Sequence, residues 1–237
     1  MDPASDLDWR IGAIATLDQP LRRDLYRLLS SAGDEWTTRD EAAAALDVPR
    51  SVAAFHLDKL AEAGVVEVRF ERTTGRQGPG AGRPSKLYRL SRDELSASIP
   101  ARHYDLAGTV LAAAVAESTR TGKPVADCLH DAALVAGREL GQQATEALAT
   151  GRRAAERRHA VMTALAGHGY EPQLDRRKEI VLANCPFHRL AEQERELVCG
   201  MNLDFLTGLL DGMGLGQGLT ARLEPAPGYC CVRISAS

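Results

Sequence analysis

Five cysteines occur in the 237-residue chain, and four of them, Cys185, Cys199, Cys230 and Cys231, fall within the last 53 residues. Thiolates gathered from separate elements suit a soft metal or an iron–sulfur centre. Cys185 and His188, in the run Asn184-Cys185-Pro186-Phe187-His188, have a metal-ligand spacing of their own. Free cysteines are also common as small core residues. The concentration of four of the five in under a quarter of the chain favours ligands over core filling. The adjacent pair is separated by strand parity. Cys230 shares a face with Val232 and Ile234, and Cys231 with Arg233 and Ser235. The apolar face should meet the helix that carries Cys199, so Cys230 is the expected ligand and Cys231 the reserve. His188 competes for the fourth position. A set of three cysteines and one histidine would also hold structural zinc, so cluster and zinc both stand. Cys128, on an alanine-rich segment far from the others, reads as structural.

A second set of residues points to nucleic acid. The whole chain has a formal net charge of −3, and its two halves are alike, with 14 basic and 16 acidic residues in 1–100 and 15 and 16 in 101–237. Seven basic residues nevertheless cluster between Arg69 and Arg92: Arg69, Arg72, Arg76, Arg83, Lys86, Arg89 and Arg92. Glu71 lies among them, and Asp93 and Glu94 lie just beyond. Such a stripe is either a solvated arginine face or the footprint of a phosphate contact.

The elements around these residues decide what they serve. Residues 7–31 read as an amphipathic helix broken or restarted near Pro20, with Leu21, Leu25, Leu28 and Leu29 at helical spacing. Thr38 and Glu41 form a capping box for a short helix. Asp47-Val48-Pro49 ends that helix, and Pro49 fits just inside the next one. The next helix stops at Gly64. VVEVRFER, with Val66, Val68 and Phe70 on one face, and KLYRLS read as two strands around a glycine- and proline-rich tip. Helix, short helix, turn, helix, strand, tip, strand is the chain order of a winged helix-turn-helix. The basic stripe then falls on the wing.

On the helix after Pro49, Ala53, His56, Leu57 and Leu60 form the core stripe. Arg50, Ser51, Ala54, Phe55 and Lys59 lie off it and are the candidate DNA-facing residues. Arg50 is the first choice for guanine readout, and Ala54 or Phe55 for a thymine methyl. Arg72, Arg76, Arg83 and Lys86 would hold phosphates or enter the minor groove, although Arg72 also suits a purely structural pairing.

The segment VPRSVAAFHLDKLAEAGVVEV resembles the recognition-helix region of ArsR-like winged-helix regulators, and GRPSKLYRLS resembles the wing of SufR-type repressors. The stretch NCPFHRLAEQERELVCGMN with PAPGYCCVRI is similar to the cluster-binding region of the same SufR-type family. That resemblance implies an iron–sulfur cluster, expected as [4Fe–4S], on Cys185, Cys199 and Cys230. It also implies a repressor of iron–sulfur assembly genes. Cys231 is an extra thiol relative to the family pattern, and the fourth ligand is not fixed by it.

Residues 91–103 read as a linker. Three alanine-rich helices follow, at about 104–117, 123–149 and 152–166, the second carrying Gly137 and Gly141 four apart, a spacing that permits close helix contact. They would supply a dimer interface for paired half-sites or cover a C-terminal sheet. Strands at 170–174 and 179–183, a helix at 190–213, and strands at LTARLEP and YCCVRI form a β-β-α-β-β unit. The expected class is α+β. Residues 1–92 form a winged helix-turn-helix domain, 93–103 a linker, 104–168 a helical dimerisation or support region, and 169–237 a Cys-rich sensor domain.

Composition excludes several classes. The chain is 44% hydrophobic, too apolar for disorder throughout. No apolar run is long enough to span a membrane. MDPASDLDW lacks the basic and apolar regions of a secretory signal. An odd cysteine number without such a signal predicts a reducing cytoplasm rather than a disulfide framework. No Cys-x-x-Cys, nucleophile elbow or phosphate loop occurs, and GMGLGQG follows a helix rather than a strand. The expectation is therefore a non-enzymatic homodimeric regulator that binds double-stranded operator DNA. A zinc-stabilised regulator with an organic effector is one alternative. A small-molecule-binding or redox enzyme with an appended DNA-binding module is the other.

Overall fold

A computed structural model describes residues 3–71, 84–92, 94–147 and 153–237. The chain forms two compact units, residues 1–97 and 98–237.

In the first unit, α1 (Pro3–Ala15) runs into a 3-10 turn (Thr16–Asp18), and α2 (Pro20–Ser31) restarts the helix. Gln19 caps α2, its side chain accepting from the Arg22 amide at 2.8 Å. The interruption expected near Pro20 is present, because Pro20 cannot continue a preceding turn and instead opens a new one. A two-residue strand β1 (Thr37–Thr38) leads into α3 (Arg39–Ala45). The capping box is present as expected: Thr38 Oγ1 accepts from the Glu41 amide at 3.1 Å, and Glu41 accepts from the Thr38 amide at 2.7 Å. Asp47, in the left-handed region at φ 51°, turns the chain into α4 (Arg50–Glu62). Pro49 is the residue before that helix rather than its first. Gly64, at φ 76°, closes it, and a Cβ there would collide with the Trp9 ring at 2.8 Å.

Strands β2 (Val66–Glu71) and β3 (Ser85–Leu90) pair antiparallel, with β1 on the other side of β3. Leu25, Leu29, Ala42, Leu57, Leu60, Val66 and Tyr88 form the core. On the β2 face, Val66 is buried and Val68 is partly buried, but Phe70 is 64% exposed.

The second unit holds α5 (Tyr104–Thr121), α6 (Val125–Ala147), α7 (Ala154–Ala166), β4 (Pro172–Leu174), β5 (Ile180–Leu182), α8 (His188–Gln193), α9 (Arg195–Gly212), β6 (Leu219–Leu223) and β7 (Val232–Ala236). The sheet order is β4-β5-β7-β6, all antiparallel. The expected β-β-α-β-β order is present, with the helix broken at Glu194 into α8 and α9. One core runs from Ala107 on α5 to Ile234 on β7. The helical and Cys-rich regions therefore belong to one body, not to two.

Helix α9 is the centre of that body. It lies against α6, β6 and β7. Leu206 and Leu209 are fully buried, and each such side chain contributes about 1.5–3 kcal/mol. Gly137 and Gly141 of α6 face the carbonyls of Phe205 and Leu209, and Gly208 and Gly212 of α9 face those of Leu134 and Arg138. Two glycine pairs spaced four apart thus bring the backbones together reciprocally. The partner helix suggested by Gly137 and Gly141 lies in the same chain. Among the described residues no helix is long and apolar enough to cross a membrane.

Candidate functional site

Sheet topology brings the cysteines together. Strands β5 and β7 are antiparallel neighbours, so the exit of β5 adjoins the entry of β7. The Cys230 amide donates to Leu182 O at 2.8 Å, and Cys185 follows β5 by three residues. Cys230 and Cys231 precede β7 rather than opening it. The alternation used to separate them holds nonetheless: Cys230 is 5% exposed, like Val232 and Ile234 on its face, and Cys231 is only partly buried. Cys199, on the second turn of α9, completes the set.

All four cysteines are free and line one cavity of about 650 Å³, together with His188 and Arg195. Within that cavity the thiols act on one another electrostatically, Cys185 with Cys230, Cys230 with Cys231 and Cys199 with Cys231. The Cys230 thiol beside Cys185, together with burial, holds Cys185 far above the ordinary thiol range. Cys230 is drawn down by Cys185, but Cys231 and burial outweigh this and push it up to about 11. Burial raises Cys199 as well, with Cys231 opposing. Raised in this way, Cys185, Cys199 and Cys230 keep their protons at neutral pH, so a metal binding them must displace those protons.

Among the described residues, no three His, Cys, Asp or Glu side chains are grouped as ligands of a single ion. His188 lines the cavity, but its Nε2 lies 3.3 Å from Glu192 and its side chain is 55% exposed. Cys231, the reserve, lines the same cavity as His188. A residue on the opposite strand face still reaches the cavity here, because Cys231 precedes the first residue of β7. Cys128 is buried in the helical core, as expected.

A network that spacing did not suggest fixes the Cys185 turn. Asn184, 7% exposed, donates to Ala101 O at 2.9 Å and to Gly169 O at 2.5 Å. Arg102 donates to Asn184 Oδ1 and, at 3.3 Å, to Cys185 O. The His103 amide donates to Pro186 O at 3.2 Å. A second pair, Tyr170 and Asn202, is buried beside Cys230. Asn202 had a sequence signal: it lies between Val198 and Phe205 on an otherwise apolar helical stripe.

In the first unit, α3 and α4 form the helix-turn-helix pair. Arg50 and Ser51 are exposed at the start of α4, Ala54 is partly buried, and Phe55 is 58% exposed. Ala53, Leu57 and Leu60 face the core as expected, whereas His56 is only partly buried. The Arg50 guanidinium is paired with Asp40 on α3. Lys59 is paired with Glu62 at 2.6 Å, and its ammonium lies 6.0 Å from the Phe55 ring.

The basic stripe is more compensated than the sequence suggested. Lys86 is bound to Asp58 at 2.5 Å, and Tyr88 donates to the same carboxylate oxygen at 2.7 Å. Burial alone would raise Asp58, but these two partners hold it below the usual carboxylate range. Lys86 thus ties β3 to α4 through Asp58. Arg69 pairs with Glu71 at 2.5 Å, Arg89 with Glu67 at 2.6 Å, and Arg92 with Asp34 at 2.9 Å. Arg69 and Arg89 each lie 4.6 Å from the Trp36 ring centre. Arg72, Arg76 and Arg83 lie outside the described residues.

Residues 17–69 match a family described as a helix-turn-helix domain. The match covers less than a quarter of the chain and spans α2 to most of β2. It identifies a helix-turn-helix domain in the first unit and supports a DNA-binding transcriptional regulator. No curated protein and no solved structure matches the chain significantly.

Proposed function

We propose that the chain is a dimeric DNA-binding repressor of the SufR type, whose four C-terminal cysteines hold an iron–sulfur cluster and report its state to the helix-turn-helix. The observation that carries this reading is the convergence of Cys185, Cys199, Cys230 and Cys231 on one cavity. The donor set fits the group: four thiols, drawn from a turn, a helix and a strand entry, suit [4Fe–4S] ligation by four cysteines. Cys231 takes the fourth place, with His188 at the cavity wall. When bound, such a cluster supplies a redox-labile crosslink between the three elements.

The chain's own residues supply the coupling. Asn184, Arg102 and the Pro186 carbonyl stitch residues 101–103 to the Cys185 turn. Those residues follow directly on the segment that ends the first unit at Ala97. A shift of the Cys185 turn therefore pulls on the chain leading to the DNA-binding domain. For this to regulate, the cysteine site and the DNA must each favour a different state of that connection.

On the DNA side, Arg50 reads a base edge after exchanging Asp40 for guanine. Ser51, Ala54, Phe55 and Lys59 line the same helix face, and Arg72, Arg76 and Arg83 belong to the wing. Lys86 holds β3 against that helix. Iron and acid-labile sulfide analysis of the full chain, purified without oxygen, tests the reading. Brown protein with iron and sulfide in equal amounts is expected. Colourless protein containing zinc, or no metal, would overturn the cluster.

A further inference from the structure

Helix α9 carries one polar side chain into the core. Val198, Met201, Phe205, Leu206 and Leu209 are buried and apolar, and Asn202 among them is 1% exposed. A buried amide left without partners costs about 1–3 kcal/mol. Both ends of this one are engaged. Tyr170, itself 2% exposed, donates its hydroxyl proton to Asn202 Oδ1 at 2.5 Å. Asn202 Nδ2 donates to Cys230 Sγ at 3.2 Å. The Tyr170 ring is held edge-on against Phe187, with centres 6.5 Å apart. The relay from hydroxyl to amide to sulfur thus runs inside the protein, and its far end is anchored two residues after Cys185.

Chemistry fixes the direction of the relay. A metal-bound thiolate only accepts hydrogen bonds, so the amide must turn its N–H to sulfur and its oxygen to the tyrosine hydroxyl. A donor at a ligating sulfur withdraws electron density from it. The reduced form of an iron–sulfur centre carries one more negative charge than the oxidised form and gains more from that donor. Hydrogen bonds to the sulfurs are accordingly one of the levers that set such potentials.

We propose that Asn202, oriented by Tyr170, is a positioning residue that raises the reduction potential of an iron–sulfur centre at Cys230 and slows its loss. The inference rests on the cluster reading above. Asn202→Leu keeps the volume and removes the donor. Tyr170→Phe keeps the buried ring and the donor but frees the amide to rotate.

The test is a redox titration of full-length wild type and both variants after anaerobic purification, with the visible absorbance followed. Chromophore decay in the presence of a chelator is measured in parallel. The midpoint should fall in Asn202→Leu and fall by a smaller amount in Tyr170→Phe, with decay several-fold faster in the first. Tyr170→Phe decides the matter if Asn202→Leu does not fold. Iron-loaded variants with the wild-type midpoint and decay would overturn the inference alone. Wild-type protein without iron and sulfide would overturn the cluster reading beneath it, and the inference with it.

Discussion

Gly208→Ala should unseat the helix that carries Cys199. A Cβ at Gly208 would overlap the Leu134 carbonyl and stand 3.0 Å from Leu134 Cα, both backbone atoms of α6. Backbone cannot rotate aside as a side-chain tip can, so α6 and α9 must move apart. Overpacking a core costs about 1–3 kcal/mol, and more where nothing yields. The better helix propensity of alanine returns about 1 kcal/mol. Because the obstacle is a helix backbone, the upper end applies, and a net loss of about 2 kcal/mol is expected. At roughly 2–4 °C per kcal/mol for a domain of this size, the melting transition should fall by about 4–8 °C.

Gly108→Ala is the control. Gly108 is exposed on α5, and a Cβ there meets nothing within 4 Å. The same chemical change should therefore be neutral or stabilise by up to about 1 kcal/mol. Thermal unfolding by circular dichroism measures both. Equal melting of Gly208→Ala and wild type would refute the reciprocal glycine packing and the placement of α9 that rests on it.

Arg50→Ala should weaken specific operator binding far more than non-specific DNA binding in a gel-shift or anisotropy assay; an equal loss on both would remove Arg50 from base readout. Asp58→Ala should release Lys86, strengthening non-specific binding and steepening its salt dependence by about one unit of slope, while lowering the stability of the first unit. The salt bridges of the C-terminal sheet should make stability acid-sensitive. Arg222 pairs with Glu179 at 2.9 Å, and Arg233 with Asp175 at 3.0 Å. Arg222 holds Glu179 below the usual range, and the Glu179 amide does the same for Asp175. Depressed carboxylates stabilise the fold above their unfolded values and lose that contribution as pH falls through the folded ones. Thermal melts should therefore drop as pH falls below about 4, and Arg222→Ala should flatten that drop.

Much of the first unit was legible in the sequence because its signals are local. Thr38 and Glu41, Pro20, and Gly64 each mark an element end through bonds or dihedrals within a few residues. The charge pattern was less legible. Lys86 meets Asp58 and Arg92 meets Asp34 across long stretches of chain, so counting neighbours in sequence left them unpaired. At the cysteine site, type and clustering identified the four thiols, and parity separated Cys230 from Cys231. Parity alone did not show that both reach one cavity, because the chain there has left the ladder. The latch of Asn184 and Arg102 joins residues 82 apart, and no spacing rule reports such a contact. Gly137 and Gly141 announced a close partner, but only the fold shows it to be α9.

The central claim is that the cysteine cavity governs DNA binding through the Cys185 turn. It is tested most directly by operator affinity of the full chain, measured anaerobically before and after removal of bound metal, in wild type and in Asn184→Leu. The account predicts that wild-type affinity changes by about 5–150-fold, the usual range of coupling between two sites. It also predicts that Asn184→Leu, with its thiols intact, loses most of that change. Equal affinity in the loaded and stripped wild-type protein would contradict it.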